Sequence, residues 1–442
     1  VNRLVVGEDE PCGVDCVGDD RESHNDMAKY YNNAHLSDVN LIVGDEVFAA
    51  HRLILAKGSE VFDRMLSQRW NGDSKDLTVT EDPSTVRYFP AFLRFLYSNH
   101  IVLHHENVLP VLILADKYNV ASLRKVCVDF AVSSVIPHLE LREIFSTWFS
   151  YATKVFHQKL IRACVDMIAA RMDEVISSPE WEKIWQSIDR DQLIELLRSN
   201  SLIVRNEWSL YEAVLHWMDA SGHPERRGAT AAPLLSQLLP LIRFCSMSPE
   251  EISTIESSTL AKSHSKLYQP LIGQAYKVHA VSLASRARDC TSLAYLLRCY
   301  TDLRWDRRIV LRREQLERGI DHEFKLVTRS PTIPCQPWGW TLKLSTQGSF
   351  TGSNSDDTLR VYLHAESIDH PRHVEFLLSF VDDKKVVKSI VGRNQFTKSR
   401  YACELEIGER LSIRELISGE SPVLNDGELH VQIMLKPLSG YE

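Results

Sequence analysis

His35-Leu36-Ser37-Asp38-Val39-Asn40-Leu41-Ile42-Val43 opens the decisive stretch, followed by Phe48-Ala49-Ala50-His51-Arg52-Leu53-Ile54-Leu55-Ala56 and then Ser59, Phe62 and Met65. Val39 to Val43 and Glu46 to Ala50 read as two short strands around a Gly44-Asp45 turn, because apolar residues recur with strand periodicity on either side of a turn dipeptide. Helices are predicted to begin at His51 to Ala56 and Glu60 to Leu66. Asp76 to Thr80 reads as a third strand. Ser84 to Tyr97 reads as a helix with Phe89, Phe92, Leu93 and Leu96 on one face, and helices follow over Val108 to Tyr118 and Ser122 to Ala131. Upstream, Asp26 to Ala34 is predicted to be a short helix capped by Asp26. Its residues Met27, Tyr30, Tyr31 and Ala34 fall at i, i+3, i+4 and i+7 and share one apolar face.

The spaced apolar, small and charged residues from His35 to Met65, and the element order after them, resemble the BTB/POZ family. The resemblance implies an assembly module without chemistry of its own, in which the face Met27, Tyr30, Tyr31, Ala34 packs across a homodimer two-fold. Asp38, His51 and Arg52 are the polar members of the motif and are expected to form a structural charged pair that fixes strand to helix. The resemblance also implies cullin-3 binding. Met65 and Leu66, before the family's cullin-contacting hydrophobic-x-Glu motif, are expected cullin contacts together with Trp70 and Asn71. Trp70 falls at the hydrophobic position beside Asn71, but Gly72 stands at the acidic position and Asp73 comes one place late. Ala115-Asp116-Lys117-Tyr118-Asn119-Val120 resembles cullin-3 substrate receptors that also own a MATH domain, which makes Tyr118 and Asn119 expected cullin contacts; the alternative is that the motif only closes a helix pair in the BTB core. Ile136 to Trp148 would extend that surface.

From about Ile136 to Ile252 the pattern is helical throughout, with amphipathic segments near 138–149, 153–172, 180–186, 189–198 and 206–219. Val204-Arg205-Asn206-Glu207-Trp208 through Trp217, and Leu238-Leu239-Pro240-Leu241-Ile242-Arg243-Phe244 through Pro249, resemble the BACK domain. From about Arg298 apolar and polar residues alternate with period 2, as in Trp340 to Leu344, Leu359 to Leu363, Glu375 to Phe380, Ala402 to Ile407 and Glu428 to Leu435. Short strands with one apolar face predict an antiparallel sandwich, and Trp340-x-Leu-x-Leu, Gly348, the Leu359 strand and Asp426-Gly427-Glu428-Leu429-x-Val431 resemble the MATH/TRAF fold. Tyr362, Phe376 and Phe380 read as sandwich core. The fold class is therefore an α+β multidomain chain: a BTB/POZ α/β domain over 26–132, an all-α BACK domain over 133–255, a helical extension or linker over 256–297, and a C-terminal antiparallel β-sandwich of TRAF/MATH type over 298–442. Residues 1–25, rich in Asp and Glu, read as a disordered acidic tail. No internal repeat is evident, which excludes a kelch propeller.

Across 442 residues, the net charge of -8 argues against a general nucleic-acid binder. No run of about 18 apolar residues predicts a membrane span. Neither GxSxG, HExxH, a P-loop nor GxGxxG occurs, so no catalytic, cofactor or metal residues are assigned. His104-His105-Glu106 reads as a solvated loop. Nine cysteines lack paired zinc spacing, and the chain has no Asn-x-Ser/Thr sequon. These signals favour a cytoplasmic protein. The chain begins with Val, so a removed signal peptide and a secreted scaffold resembling galectin-3-binding protein stand as the alternative. The expected function is a homodimeric, non-catalytic adaptor of a cullin-3 ubiquitin ligase, with the sandwich binding an unknown protein substrate.

Overall fold

The computed structural model describes residues 4–5, 13–14, 26–67, 74–317, 320–331, 334–345, 359–405, 423–425 and 427–438. The chain divides into two compact units, one made of Val1–Glu140 with His157–Ala163, the other of Leu141–Phe156 with Cys164–Glu442. Most of the expected acidic tail lies outside the described residues. Within it, Leu4–Val5 pairs antiparallel with Gly13–Val14.

In the first unit, Val39–Val43 and Glu46–Ala50 form the expected hairpin, in register from Val39↔Ala50 to Val43↔Glu46. Gly44 takes φ +59 in the two-residue turn, a conformation that costs glycine nothing. Asp76–Val79 adds in parallel to the other side of Val39–Val43. That central strand buries Val39, Leu41 and Val43 on one face. Helices Arg52–Gly58, Glu60–Met65, Pro83–Val86, Phe89–Ser98, Val108–Lys117 and Ala121–Phe130 enclose the core. The single helix expected over Ser84 to Tyr97 is two. Pro90 sits in the first turn of the second, where its missing N–H costs nothing. The helix expected over Asp26 to Ala34 lasts only over 26–28. Asn32 at φ +46 and Leu36 at φ +63 turn the chain, and the Asn32 side chain accepts from the Ala49 N–H at 3.1 Å, so this segment bonds to the hairpin instead of continuing as helix.

The second unit begins with helices that continue to Leu283–Asp289, followed by strands. Residues Ile144–Phe149 form a π-helical segment leading into helix Ser150–Val155. Asp189 with Gln192, and Ser248 with Glu251, make reciprocal capping boxes at the starts of Arg190–Arg198 and Pro249–Ser257. The change of pattern predicted near Arg298 is real, but the first strand beyond it, Cys299–Tyr300, pairs in parallel with Ile203–Val204 of the helical region. The sandwich begins at Asp306.

One sheet is ordered Ala402–Leu405, Arg360–Glu366, Pro337–Ser345, His322–Arg329. The other is ordered Val386–Phe396, Arg372–Val381, Glu428–Pro437, with Asp306–Arg312 and Leu424–Asn425 pairing on Glu428–Pro437. Leu326, Trp340, Leu342, Leu344, Val361 and Leu363 of the first sheet pack on Ile309, Phe376, Leu378, Phe380, Val431 and Ile433 of the second. Phe376 and Phe380 are core as predicted. Tyr362 stands on the outer face and is half-buried, since its neighbours Val361 and Leu363 take the inward positions. Gly392 is needed where it stands: a Cβ there would lie 2.2 Å from Phe376 Cζ. Gly392→Ala is therefore expected to lower stability by about 1–3 kcal/mol through overpacking, measurable as a fall in the midpoint of chemical denaturation.

The strand Arg372–Val381 is buried on both faces. Val374, Phe376, Leu378 and Phe380 enter the sandwich core, while Glu375, Leu377, Ser379 and Val381 are covered from outside. Val381 and Val386 form a small cluster with Leu293 and Leu296. The Arg286 guanidinium of helix Leu283–Asp289 reaches Met434 Sδ at 3.0 Å.

Candidate functional site

Ser59 organises the expected cullin-facing corner of the first unit. It caps helix Glu60–Met65 by accepting from the Phe62 N–H at 3.1 Å and donates its hydroxyl to the Tyr118 carbonyl at 2.5 Å. The Tyr118 ring stacks on Phe62 with centroids 4.6 Å apart and packs against Phe92 and Phe89. It is 1% exposed. Its hydroxyl donates to Glu81 Oε1. Burial, and then the Glu81 carboxylate, push that phenol well above its ordinary range. Lys117 Nζ pairs with the same Glu81 oxygen at 2.9 Å and bonds the Thr80 carbonyl at 2.6 Å. The expectation of Tyr118 as a surface contact is thus corrected: its side chain is core, because it closes the helix pair against three phenylalanines.

Asn119, at φ +50, lies in the link between helices Val108–Lys117 and Ala121–Phe130 and donates its side-chain amide to Glu60 Oε2 at 3.0 Å. Arg124 bonds the Asn119 side-chain oxygen at 3.3 Å. Asp116, held by His157 Nε2 at 2.8 Å and Arg124 at 3.5 Å, secures the next turn. Met65 is half-buried, whereas Leu66 is buried, so the expectation of its side chain as a surface contact is corrected as well. Trp70 and Asn71 lie outside the described residues. Sequence reasoning missed a groove beside this corner, lined by Arg52, Leu53, Ala56, Val61, Arg64 and Met65. Leu53 is 80% exposed there. A leucine between motif residues His51 and Ile54 was the available signal.

The residues expected at a dimer seam do not share one helical face. Met27 and Ala34 are exposed, but Tyr30 packs edge-on against His51 and Tyr31 against Tyr97, both within the same unit. The expected charged pair is also differently built. Asp38 Oδ1 accepts from the backbone N–H of Arg52 at 2.7 Å and so caps helix Arg52–Gly58. The Arg52 guanidinium goes instead to the carbonyls of Leu66, at 3.2 Å, and Ser74. His51 is locked between the Tyr97 hydroxyl at 3.1 Å and the His35 carbonyl at 2.9 Å. Burial pushes the Tyr97 phenol up to about 12.

The second unit holds a polar centre that sequence reasoning did not foresee. Glu207, in the first turn of helix Glu207–Met218, is fully buried with Arg243 and Arg298. Its Oε2 accepts from Arg298 Nε at 3.1 Å and from the Tyr300 hydroxyl at 2.7 Å, and its Oε1 from the Arg243 N–H at 2.8 Å. Arg298 also donates to the carbonyls of Leu197 at 2.9 Å, Leu241 at 2.8 Å and Ser199. Arg243 donates to the Leu296 carbonyl at 2.5 Å and to Asn200 Oδ1 at 2.6 Å. Burial raises the Glu207 pKa, but the Arg298 and Arg243 charges, the Arg243 N–H and the Tyr300 hydroxyl outweigh it and hold the carboxyl below its ordinary range. Glu207 and Arg243 lie in the two segments that carried the BACK resemblance. The polar groups of this centre bond one another and the backbone carbonyls of neighbouring segments, an arrangement that ties those segments together.

No helix among the described residues is long and apolar enough to cross a membrane. A BTB/POZ domain model matches residues 27–134 and a model described as BTB And C-terminal Kelch matches residues 145–256. The chain is similar to BTB/POZ domain-containing protein 17 of Xenopus tropicalis, 25% identical over 54% of this chain and 47% of that protein. It is also similar to the human protein of that name, 25% identical over 59% of this chain and 51% of the relative. Human BTB/POZ domain-containing protein 6 matches at 28% identity over 54% of this chain and 44% of its own length. The chain thus spans about half the length of the curated relatives it matches. A solved structure titled "BTB domain of zebrafish PATZ1" aligns at 25% identity and TM-score 0.23, covering 27% of this chain and 98% of that one. With its hairpin, parallel third strand and helices in one unit and its capped helices in the next, the chain carries a BTB/POZ domain followed by a BACK domain, and over about half its length it is a distant homologue of proteins named BTB/POZ domain-containing protein 17.

Proposed function

We propose that the chain is a homodimeric substrate adaptor of a cullin-3 RING ubiquitin ligase. The observation that carries this reading is the succession of BTB and BACK domains, both non-catalytic protein-interaction domains. In this reading the corner formed by helix Glu60–Met65 and Asn119 receives cullin-3, and the motif assigns Trp70 and Asn71 to the same contact. Exposed Met27 supplies apolar surface to the dimer. The sandwich, proposed to be of TRAF/MATH type, binds the substrate. The chain contributes no bond-making step. It raises the effective concentration of a substrate lysine near a ubiquitin-loaded enzyme, and a dimer presenting two substrate sites adds avidity. The reading places the protein in the cytoplasm.

Light scattering after gel filtration, alone and with the cullin-3 N-terminal domain, tests this. The expected result is a dimer that takes up two cullin chains. Met65→Glu and Trp70→Ala are expected to weaken cullin uptake at least tenfold while the dimer persists, since loss of a central anchor costs about 2 kcal/mol or more. A dimer that ignores cullin-3 would overturn the adaptor reading in favour of a scaffold.

A further inference from the structure

Helix Leu283–Asp289, the turn Phe244–Ser246 and the outer face of the second sheet enclose a cavity of about 40 Å³. It has room for water or a single ion and too little for an organic ligand. Three sulfur-bearing side chains line it. Cys245 comes from the turn, Cys290 from the C-cap of the helix, and Met434 from strand Glu428–Pro437, where it stands opposite Leu377. They are brought together from three distant segments. Both thiols are free and half-buried. Tyr295 and Arg286, which line the same cavity, each interact with both thiols, so the two cysteines face one space.

The Arg286 guanidinium lies among these sulfurs. Its Nη1 donates to Met434 Sδ at 3.0 Å, and its buried Nε–H has no partner among the described residues. A thioether is a weak acceptor and carries no charge. Two carboxylates act on Arg286, and each is bonded to another arginine. Asp306, which also lines the cavity, pairs with Arg304 at 2.6 Å, and Glu375 pairs with Arg393 at 3.2 Å. Three guanidinium groups thus share two carboxylates, and one positive charge is left over beside the thiols. Among the described residues no three His, Cys, Asp or Glu side chains are grouped to hold a metal ion, which argues against a four-ligand zinc centre. Two thiolates with a thioether are instead the ligands that a soft monovalent ion prefers.

We propose that Cys245, Cys290 and Met434 bind one soft monovalent metal ion of the Cu(I) type, with Arg286 as its countercharge. Binding releases the two thiol protons to solvent. Two thiolates around one Cu(I) leave a single negative charge, which the spare guanidinium neutralises while its Nε–H donates to a thiolate sulfur. The ion would cross-link turn, helix and sheet. This inference goes beyond the adaptor reading and does not depend on it.

The test uses the full chain with Cys12, Cys16 and exposed Cys335 changed to serine, so that these other thiols do not compete. Cu(I) is titrated anaerobically, with ascorbate, against the chromophoric chelator bicinchoninate. The expected result is one Cu(I) withheld per chain and a higher thermal unfolding midpoint. X-ray absorption is expected to show copper ligated by sulfur alone. Cys245→Ser and Cys290→Ser are each expected to abolish retention. Met434→Leu, which keeps the side-chain volume, and Arg286→Gln, which removes the countercharge and keeps the sulfurs, are expected to weaken it about tenfold. Circular dichroism of the metal-free variants shows whether each is folded, and the Met434 and Arg286 variants carry the test if a serine variant is not. No Cu(I) withheld from the chelator, retention unchanged in folded variants, or nitrogen and oxygen ligands at the copper would each overturn the proposal.

Discussion

Glu207→Ala will destabilise the second unit by about 3–5 kcal/mol, because it strands two buried guanidinium groups that share one carboxylate. Arg298 and Arg243 are both fully buried, and the carbonyl oxygens that surround them supply dipoles but no countercharge. Against a typical total of about 5–15 kcal/mol, that loss is a large share of the unit's stability. Chemical denaturation followed by tryptophan fluorescence reads it directly. Glu207→Gln separates charge from shape, since the amide oxygen still accepts from Tyr300 or Arg243 while the countercharge is gone. It should fall between wild type and Ala. The pH dependence has a definite sign. The folded-state pKa of Glu207 lies below its unfolded value, so this stabilisation is fully present above the ordinary glutamate range and is lost as pH falls through the lower folded-state pKa. The wild-type midpoint should therefore drop on acidification through and below that range, with the Glu207→Gln midpoint falling less.

Tyr118→Ala will cost the BTB domain about 3–5 kcal/mol, as expected for removing a fully buried aromatic ring. The ring stacks on Phe62 and touches Phe89 and Phe92, so its removal opens a cavity between helices. Tyr118→Phe keeps the ring and deletes only the bond to Glu81, which retains Lys117 as partner, and should cost about 1–2 kcal/mol. Differential scanning calorimetry of the two variants checks the order. If Tyr118→Ala also loses cullin uptake, that loss reports an unfolded corner, and Tyr118→Phe is the variant that reports on binding.

The hairpin of the BTB domain was legible to the residue, because a turn dipeptide between alternating apolar runs fixes both strands and their register. The sandwich strands at Trp340, Leu359 and Glu428 were legible for the same reason. Strand Val386–Phe396 was not, because its side chains are half-covered on both faces and leave no clean alternation. The short helix at 26–34 was misread from good spacing. Asn32 and Leu36 adopt left-handed backbone there, and a bond from Asn32 to the hairpin prevails over local periodicity. The polar centre was invisible because its members come from three distant segments around Glu207, Arg243 and Arg298. Each alone reads as an ordinary surface charge. For Tyr118 the core alternative holds over the contact, because a motif fixes a position in the chain and not the direction of its side chain.

A cut at the composition break near Arg298 would look reasonable to anyone preparing the sandwich alone. The strand Arg372–Val381 shows why such a fragment would be sticky. Its outer row of Leu377 and Val381 is covered from the helical side, and Gln432 spends its amide on the Leu297 N–H and the Tyr295 carbonyl. Freed of that cover, the sheet would present bare aliphatic surface and orphaned hydrogen-bonding groups to solvent. The modular boundary written in the residue pattern is therefore not a seam along which the protein can be taken apart.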